Sequence, residues 1–301
     1  MINRRSLLLV GAVFALANAF INPVQQSVLS EGYVDAALQA FGLNGVVLGA
    51  AALGLTALAR SRDETRADAL DWIFAFILMA LLLVPLATAA WVGLAAYMAA
   101  SLAHLRQGIS PWGRAGCLIL LSLGLREPVS RMLFSFFGEG VLTFDALATA
   151  AALKIIGQAA LTQGNMITGG SGHELLVLSG CSSFRNLSFV LLAWFALSRF
   201  LVVRAGVRSG SRPDWIVGAG LFVAMIGVNV ARLAVMAQGP EAYQFFHDGP
   251  GTQVFEGAQV LLVGGGVYAT LALSKRNGFD PAGRTGPDQP RPQTAEHCSN
   301  A

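Results

Sequence analysis

The chain has 301 residues, of which 54% are hydrophobic and only 12% are charged, and its mean hydropathy is +0.60. A soluble domain carries about twice this share of charge, so the composition excludes the soluble classes and predicts an integral membrane protein. The formal net charge of +3 comes from short basic clusters between apolar segments, a pattern that indicates membrane topology and no nucleic-acid partner.

Four membrane spans are predicted in the first part of the chain. Residues 6–21 follow Arg4 and Arg5 and form either a retained helix or a cleaved signal peptide, and both alternatives place the next residues outside. Residues 36–59 return the chain to a basic, cytoplasmic loop. Residues 72–103 contain no charged side chain and are too long for one span, and Pro85 interrupts them, so we predict a helical hairpin.

The middle of the chain combines apolar segments with charged residues. Residues 115–137 have the length of a span but contain Arg126, Glu127 and Arg131. Glu127 and Arg131 are four residues apart and can pair on one helix face, either as a structural cluster or as part of a substrate groove. Residues 144–163 are predicted to form an interfacial or re-entrant helix, because a full crossing would put Cys181 on the wrong side of the next basic loop.

Three further spans are predicted at 186–203, 215–235 and 254–273, and the basic loops of the whole chain then fall on one side. The basic and histidine residues that define this side are Arg60, Arg62, Arg66, His104, Arg106, Arg114, Arg204, Arg208, Arg212, Lys275 and Arg276. The predicted fold class is therefore all-α, a polytopic transmembrane bundle of about eight spans. It forms one domain over residues 1–275, and residues 276–301 are predicted to be a disordered cytoplasmic tail.

The same loop assignments, which use only basic residues, place Cys181, Arg232 and His247 on the outer face. A thiol becomes a strong nucleophile when a neighbouring cation or base favours the thiolate, and acyl transfer also needs a donor for the developing oxyanion. Cysteine, histidine and arginine supply these three functions. Cys181 precedes a predicted helix, with Ser182 and Ser183 as candidate caps, and helix N-terminal amides would stabilise a thiolate further.

Other residues compete for these functions. His173 is a second candidate base, and Arg185 is a second candidate oxyanion donor or an anchor at the lipid headgroups. Asp248 either orients the ring of His247 or solvates its loop. Arg232 has an alternative of its own, a side chain that extends to the membrane interface.

The cysteines and histidines do not have the spacing of metal ligands, so no metal and no organic cofactor is predicted. The three cysteines are Cys117, Cys181 and Cys298, and they do not form the pattern of a disulfide framework. Cys117 lies in an apolar span, where a cysteine usually serves in packing.

Four short motifs resemble the exosortase/archaeosortase family of multi-pass membrane proteins: GNMI at 164–167, CSSFRNL at 181–187, NVARL at 229–233 and HDG at 247–249. The resemblance covers residues 128–251. It implies that Cys181 is the nucleophile, that Arg232 stabilises the tetrahedral intermediate and that His247 moves the proton. One departure is Ser183, which stands where the family commonly has glycine.

The resemblance also implies the substrates and the location. The partners would be membrane-anchored client proteins with a C-terminal sorting signal of the PEP-CTERM kind: a short motif, an apolar helix and a basic end. Cleavage at the motif would occur at the periplasmic or extracellular face of the cell membrane, and an amine or another acceptor would resolve the thioester, in an envelope that often also builds exopolysaccharide.

Two other functions remain open at the level of the sequence. A membrane acyltransferase or a thiol peptidase would use the same residues, and the peptidase would leave a free carboxylate on the client. A non-catalytic partner in exopolysaccharide assembly or export would tolerate replacement of Cys181.

Overall fold

Helices form nearly all the regular structure in the part of the chain that the computed structural model describes. The described residues are 2–63, 65–84, 86, 88–104, 109–207, 211–247 and 249–278, with the side chains of 211–213 and 276–278 left out. The helices are α1 Arg4–Glu31, α2 Tyr33–Leu38, α3 Gly45–Ala59, α4 Ala69–Leu82, α5 Ala89–His104, α6 Pro111–Ile155, α7 Ser183–Arg204, α8 Ser211–Met236, α9 Pro240–His247 and α10 Thr252–Gly278.

The predicted all-helical class is confirmed in its coarser form, with little sheet among the described residues. Within the described residues, α1, α6, α7, α8 and α10 are five helices that are long and apolar enough to cross a membrane. Helices α3, α4 and α5 are apolar but shorter, with 15, 14 and 16 residues. Helices α4 and α5 occupy the region of the predicted hairpin, and Pro85 itself lies outside the described residues.

The second predicted span, 36–59, is not one helix. Helix α2 ends at Leu38, a short 3-10 turn covers Ala40–Gly42, and only α3 continues to Ala59. Ala40 and Phe41 have positive φ angles of 53° and 56°, which a regular helix does not contain. Asn44 then caps α3, because its side chain accepts a hydrogen bond from the N–H of Val46.

The prediction of a separate helix at 144–163 is wrong. Helix α6 runs without interruption from Pro111 to Ile155, through residues that were predicted to separate two helices. Its 45 residues correspond to about 67 Å at 1.5 Å per residue, about twice the 30 Å hydrocarbon core of a bilayer. The helix is therefore longer than a single crossing requires, and it replaces the predicted span 115–137 and most of the predicted helix 144–163 with one element.

A small antiparallel sheet follows α6 and was not predicted. Its strands are β1 Ala160–Gln163, β2 Met166–Gly169 and β3 Glu174–Leu176, in the order β1-β2-β3. Gln163 pairs with Met166, so Gly164 and Asn165 form a two-residue hairpin turn, and Gly164 has the positive φ that such a turn needs.

Polar side chains connect four helix ends at one end of the bundle. These are the starts of α1, α4 and α6 and the end of α5. The guanidinium of Arg4 contacts Asp68 at 3.0 Å, and Nε2 of His104 lies 2.8 Å from the same carboxylate. The carboxylate of Asp63 accepts a hydrogen bond from the N–H of Ser110 at 2.9 Å, just before α6. Cys181 precedes α7 at the opposite end, because α6 leads away from Ser110 to the sheet.

The remaining predictions about loops and termini fall partly outside the described residues. Arg106, Arg208, Asp248 and Cys298 lie there, as do the side chains of Arg212 and Arg276. Helix α10 continues to Gly278, so the first residues of the predicted tail 276–301 are helical, and residues 279–301 are not described.

Helices α5 and α6 approach each other closely at Gly124. A Cβ atom there would lie 2.9 Å from the backbone oxygen of Trp91 and 2.9 Å from the backbone nitrogen of Ala95. We therefore expect Gly124→Ala to force the helices apart and to lower the free energy of unfolding by about 1–3 kcal/mol, as overpacking does.

Gly140 on the same helix provides the control, since a Cβ there would have no described atom within 4 Å. Gly140→Ala should leave stability unchanged or raise it by up to about 1 kcal/mol through helix propensity. Thermal unfolding of both variants in detergent measures the difference. Equal melting temperatures for the two variants would contradict the close contact.

Candidate active site

Cys181 is half-buried and ends a 3-10 turn, Ser179–Cys181, directly before α7. The N–H of Cys181 donates to the carbonyl of Leu178 at 2.9 Å. Ser182 is the N-cap of α7, since its hydroxyl oxygen accepts the N–H of Phe184 at 3.2 Å, which confirms one of the two predicted caps. We call residues 181–183 the Cys181 turn.

Asn229 links the Cys181 turn to the last part of α8. Its side-chain amide donates to the carbonyl of Cys181 and to the hydroxyl oxygen of Ser183, at 3.0 Å in both cases. Arg232 follows Asn229 by three residues, which is nearly one helix turn, so it projects from the same side of α8. The end of α8 that carries Arg232 therefore adjoins the backbone of the Cys181 turn.

Arg232 in turn links α8 to α9. Its Nη2 donates to the carbonyl oxygen of Phe246 at 3.4 Å, and its guanidinium carbon lies 6.0 Å from the ring centroid of Phe255. Its Nε is buried and has no hydrogen-bond partner among the described residues. Phe246 directly precedes His247, the predicted base, so the guanidinium of Arg232 contacts the peptide bond that joins these two residues.

His247 is the last residue of α9, which corrects the expectation that it lies in a loop. Its ring stacks on the ring of Tyr243, with centroids 4.7 Å apart and an interplanar angle of 13°. The ring of His173 lies 6.2 Å from the same tyrosine, and its buried Nε2 has no described hydrogen-bond partner. Both candidate bases thus adjoin Tyr243, and the choice between them stays a prediction.

One hydrophobic core underlies these segments. Cys181, Tyr243 and Phe246 pack against buried residues from the end of α6, the sheet and the end of α8. The buried members are Ala146, Ala150, Leu153, Ala160, Ile167, Leu175, Val177, Leu233, Ala234, Met236 and Ala237. The three chain segments that carry the predicted site residues therefore share one packed unit, separate from the larger core among α1, α3, α4, α5, α6 and α7.

Sequence reasoning missed Asp145, Asn229 as a contact of Cys181, and Tyr243. Asp145 on α6 is completely buried, and its carboxylate accepts two hydrogen bonds from Ser183. A carboxylate within an otherwise apolar stretch of helix was the signal that could have identified it, because a buried acid needs specific partners. Tyr243 precedes His247 by four residues, a spacing that brings side chains together on a helix, but His247 was predicted to lie in a loop.

The charged residues of α6 form the predicted ion pair. Nε of Arg131 donates to Glu127 at 2.8 Å, four residues earlier, and Arg126 reaches the other oxygen of that carboxylate at 3.3 Å. The guanidinium of Arg126 also lies 3.6 Å from the ring centroid of Phe189 on α7. Arg185, the competing oxyanion donor, is exposed in the first turn of α7.

Two neighbouring cavities lie at the surface between α6, α7 and α8. One has a volume of about 890 Å³ and extends from Asp214 near the start of α8 to Phe184 at the start of α7. The other, of about 300 Å³, shares Phe184 and Phe222 with it and ends at Asp145 and Ser183. Together they form a mostly apolar groove that leads along α7 to the Cys181 turn.

One cluster at the other end of the bundle resembles a cation site by composition. Ligand atoms of Asp68, Asp71 and His104 lie within 4.8 Å of one another. The guanidinium of Arg4 already contacts both carboxylates, at 3.0 Å to Asp68 and 2.7 Å to Asp71. The hydrogen bond from the N–H of Asp71 and that with His104 lower the pKa of Asp68 to about 2, so its charge is available to these partners at neutral pH. The cluster is explained as an ion-pair network.

Comparisons with known proteins do not assign this chain to a family or a fold. No family model matches it, and neither a curated protein nor a solved structure gives a match.

Proposed function

We propose that this chain is a membrane-embedded cysteine transpeptidase or peptidase of the exosortase/archaeosortase type, which cleaves a C-terminal sorting signal of exported proteins. One observation carries the proposal. The side-chain amide of Asn229 donates a hydrogen bond to the carbonyl of Cys181, and Asn229 lies about one helix turn before Arg232. The guanidinium of Arg232 in turn donates a hydrogen bond to the carbonyl of Phe246, the residue before His247. Two short links therefore connect the segments of a candidate nucleophile, oxyanion donor and base.

In the proposed mechanism the sulfur of Cys181 attacks the scissile carbonyl, and its proton passes to His247. Arg232 donates to the oxyanion of the tetrahedral intermediate. The C–N bond then breaks, and His247 returns the proton to the departing amine, which leaves a thioester on Cys181. An acceptor amine attacks the thioester and yields a new amide and the free thiol, or water does so and yields a carboxylate.

The groove between α6, α7 and α8 is an argument for a membrane-anchored substrate, because it could accept the apolar helix of a client. A client helix in this groove would lie against apolar side chains along α7 and would bring its preceding motif to the Cys181 turn. The far end of the groove contains Asp214, an acidic residue on the side where a basic client end would emerge. Asp214 is paired with Arg199, so a basic end would meet a partly neutralised acid there.

The full topology is part of the proposal. Eight crossings result if α3, α4 and α5 cross together with the five longer helices, although 15 residues of helix extend only about 22 Å. The Cys181 turn, Arg232 and His247 then lie at the periplasmic or extracellular face, and the basic loops lie in the cytoplasm. Short helices of this kind are accommodated by local thinning of the bilayer or by flanking polar residues.

The test uses the full-length chain in liposomes with a client. The client is a protein from the same genome that ends in a short motif, an apolar helix and a basic tip. We expect a shortened client, and mass analysis of its new C-terminus distinguishes an added acceptor group from a free carboxylate. Hydroxylamine, which cleaves thioesters, should release the client from the enzyme during turnover.

A client that remains at full length, with no hydroxylamine-sensitive adduct, would contradict the enzymatic proposal. That result would favour the alternative of a non-catalytic partner in exopolysaccharide assembly or export.

A further inference from the structure

A buried carboxylate from α6 supports the Cys181 turn. Asp145 has 0% exposure, and its Oδ2 accepts the backbone N–H of Ser183 at 2.9 Å. Its Oδ1 accepts the hydroxyl of Ser183 at 2.6 Å. Burial of a carboxylate is costly unless donors satisfy it, and here both donors come from the residue two places after Cys181.

A second support comes from α8. Asn229 is 1% exposed, and its Nδ2 donates to the carbonyl of Cys181 and to the hydroxyl oxygen of Ser183. Its Oδ1 accepts a hydrogen bond from Nδ2 of Asn186 at 3.3 Å, which fixes the orientation of the amide. The hydroxyl of Ser183 thus donates to Asp145 and accepts from Asn229, so it bridges the two supports.

Capping of α7 does not by itself explain this arrangement. Ser182 already caps the helix through the N–H of Phe184. Buried ionic contacts add little net stability compared with apolar packing of the same volume. The two supports fix the backbone on both sides of Ser182. Asn229 holds the carbonyl of Cys181, and Asp145 holds the N–H of Ser183.

We propose that Asp145 and Asn229 are positioning residues that hold the Cys181 turn so that the thiol lies against Arg232 and His247. The inference rests on the proposed function, in which Cys181 is the nucleophile. A cationic neighbour favours the thiolate, and a displacement of about 1 Å at a reacting group can cost about 100-fold in rate.

The pH dependence of alkylation of Cys181 by iodoacetamide tests this proposal without a client. The experiment uses the full chain with Cys117→Ala and Cys298→Ala, so that Cys181 is its sole thiol. In this parent protein the midpoint of the alkylation profile should lie below the ordinary thiol value of about 8.5. The charged and titratable groups on the surrounding elements are Arg185 of α7, Arg232 of α8, Tyr243 and His247 of α9, His173 and Glu174 at the start of β3, and Asp145 of α6.

Asn229→Ala is the first variant, because it removes a support without a change in charge. We expect the midpoint to rise by about one pH unit, since the thiol leaves its cationic neighbours. Asn18→Ala is the matched control: the amide of Asn18 likewise donates to a backbone carbonyl, that of Leu82 at 3.2 Å, but far from the site. The control should keep the midpoint of the parent.

Asp145→Asn separates positioning from simple electrostatics. Loss of a nearby negative charge alone would lower the midpoint, because the thiolate would become more favourable. Loss of positioning should raise it. Glu139→Gln, an exposed acid on the same helix, controls for the change in net charge. Ser183→Ala keeps the N–H that Asp145 binds and removes only the bridging hydroxyl, so it provides a mild variant if Asp145→Asn fails to fold.

The outcomes distinguish the two proposals. An ordinary midpoint in the parent protein would contradict an activated Cys181 and with it the proposed function. Two results would overturn the positioning inference alone, provided that the midpoint of the parent protein is low. In one, the midpoint stays low in Asn229→Ala and Ser183→Ala; in the other, it falls further in Asp145→Asn. A rise in the midpoint of the folded variants supports it.

Discussion

Replacing Cys181 with alanine should leave the client at full length and anchored in the membrane. Loss of the nucleophile removes the thioester intermediate, so processing should fall by a factor on the order of 10⁴ or more. Cys181→Ser should be nearly as inactive, because a serine hydroxyl is far less acidic than a thiol and the site is predicted to stabilise a thiolate. Gel mobility of the client and its membrane retention measure the effect in cells.

Cys117→Ala is the matched control for this prediction. Cys117 is 0% exposed within the larger core, where it packs between helices. Its replacement should change processing per folded molecule by less than about twofold, as expected for a buried structural cysteine. Unchanged processing in Cys181→Ala, with Cys117→Ala also unchanged, would remove the nucleophile from the proposal and favour a non-catalytic function.

Arg232→Lys should reduce the rate of client cleavage by about 100- to 1,000-fold, the usual cost of losing an oxyanion donor. The guanidinium presents several donors in a fixed plane, so it can bind the carbonyl of Phe246 and still donate to an oxyanion. A lysine keeps the positive charge but supplies a single ammonium group in another position. Membrane topology should stay unchanged because the charge is retained.

Arg185→Lys distinguishes the two candidate donors. Arg185 is exposed at the start of α7, and its Nη1 would lie 3.8 Å from a Cβ atom on Gly180, so this side chain also lies beside the Cys181 turn. The proposed mechanism assigns the oxyanion to Arg232. We expect single-turnover cleavage by Arg185→Lys to stay within about threefold of the parent, as for other surface substitutions. A large loss in Arg185→Lys together with a small one in Arg232→Lys would transfer the oxyanion function to Arg185.

Local sequence patterns predicted several features of the candidate site and its surroundings. Ser182 was identified as a cap because a hydroxyl before an apolar helix satisfies a free N–H. The pair of Glu127 and Arg131 followed from their spacing of four residues on a helix. Both depend on residues close together in the chain, where helix geometry alone fixes the distance.

Features that depend on distant segments were missed or wrong. Residues 115–137 and 144–163 were predicted as two separate segments, yet α6 runs through both as far as Ile155, and its last turns pack on the sheet and on the end of α8. Helix propensity is a weak preference that such tertiary contacts override. The contact between Asp145 and Ser183 joins residues 38 positions apart, and no local pattern encodes it.

The sequence by itself determined that this is a helical protein with segments apolar enough for a membrane, because hydrophobic content and its interruption by charges are properties of each segment alone. Only the tertiary structure decided that α6 is one long helix, that a small sheet follows it, and that amide and carboxylate groups from α6 and α8 fix the backbone beside Cys181. These features depend on hydrogen bonds and packing between segments far apart in the chain, which the composition and periodicity of each segment do not specify.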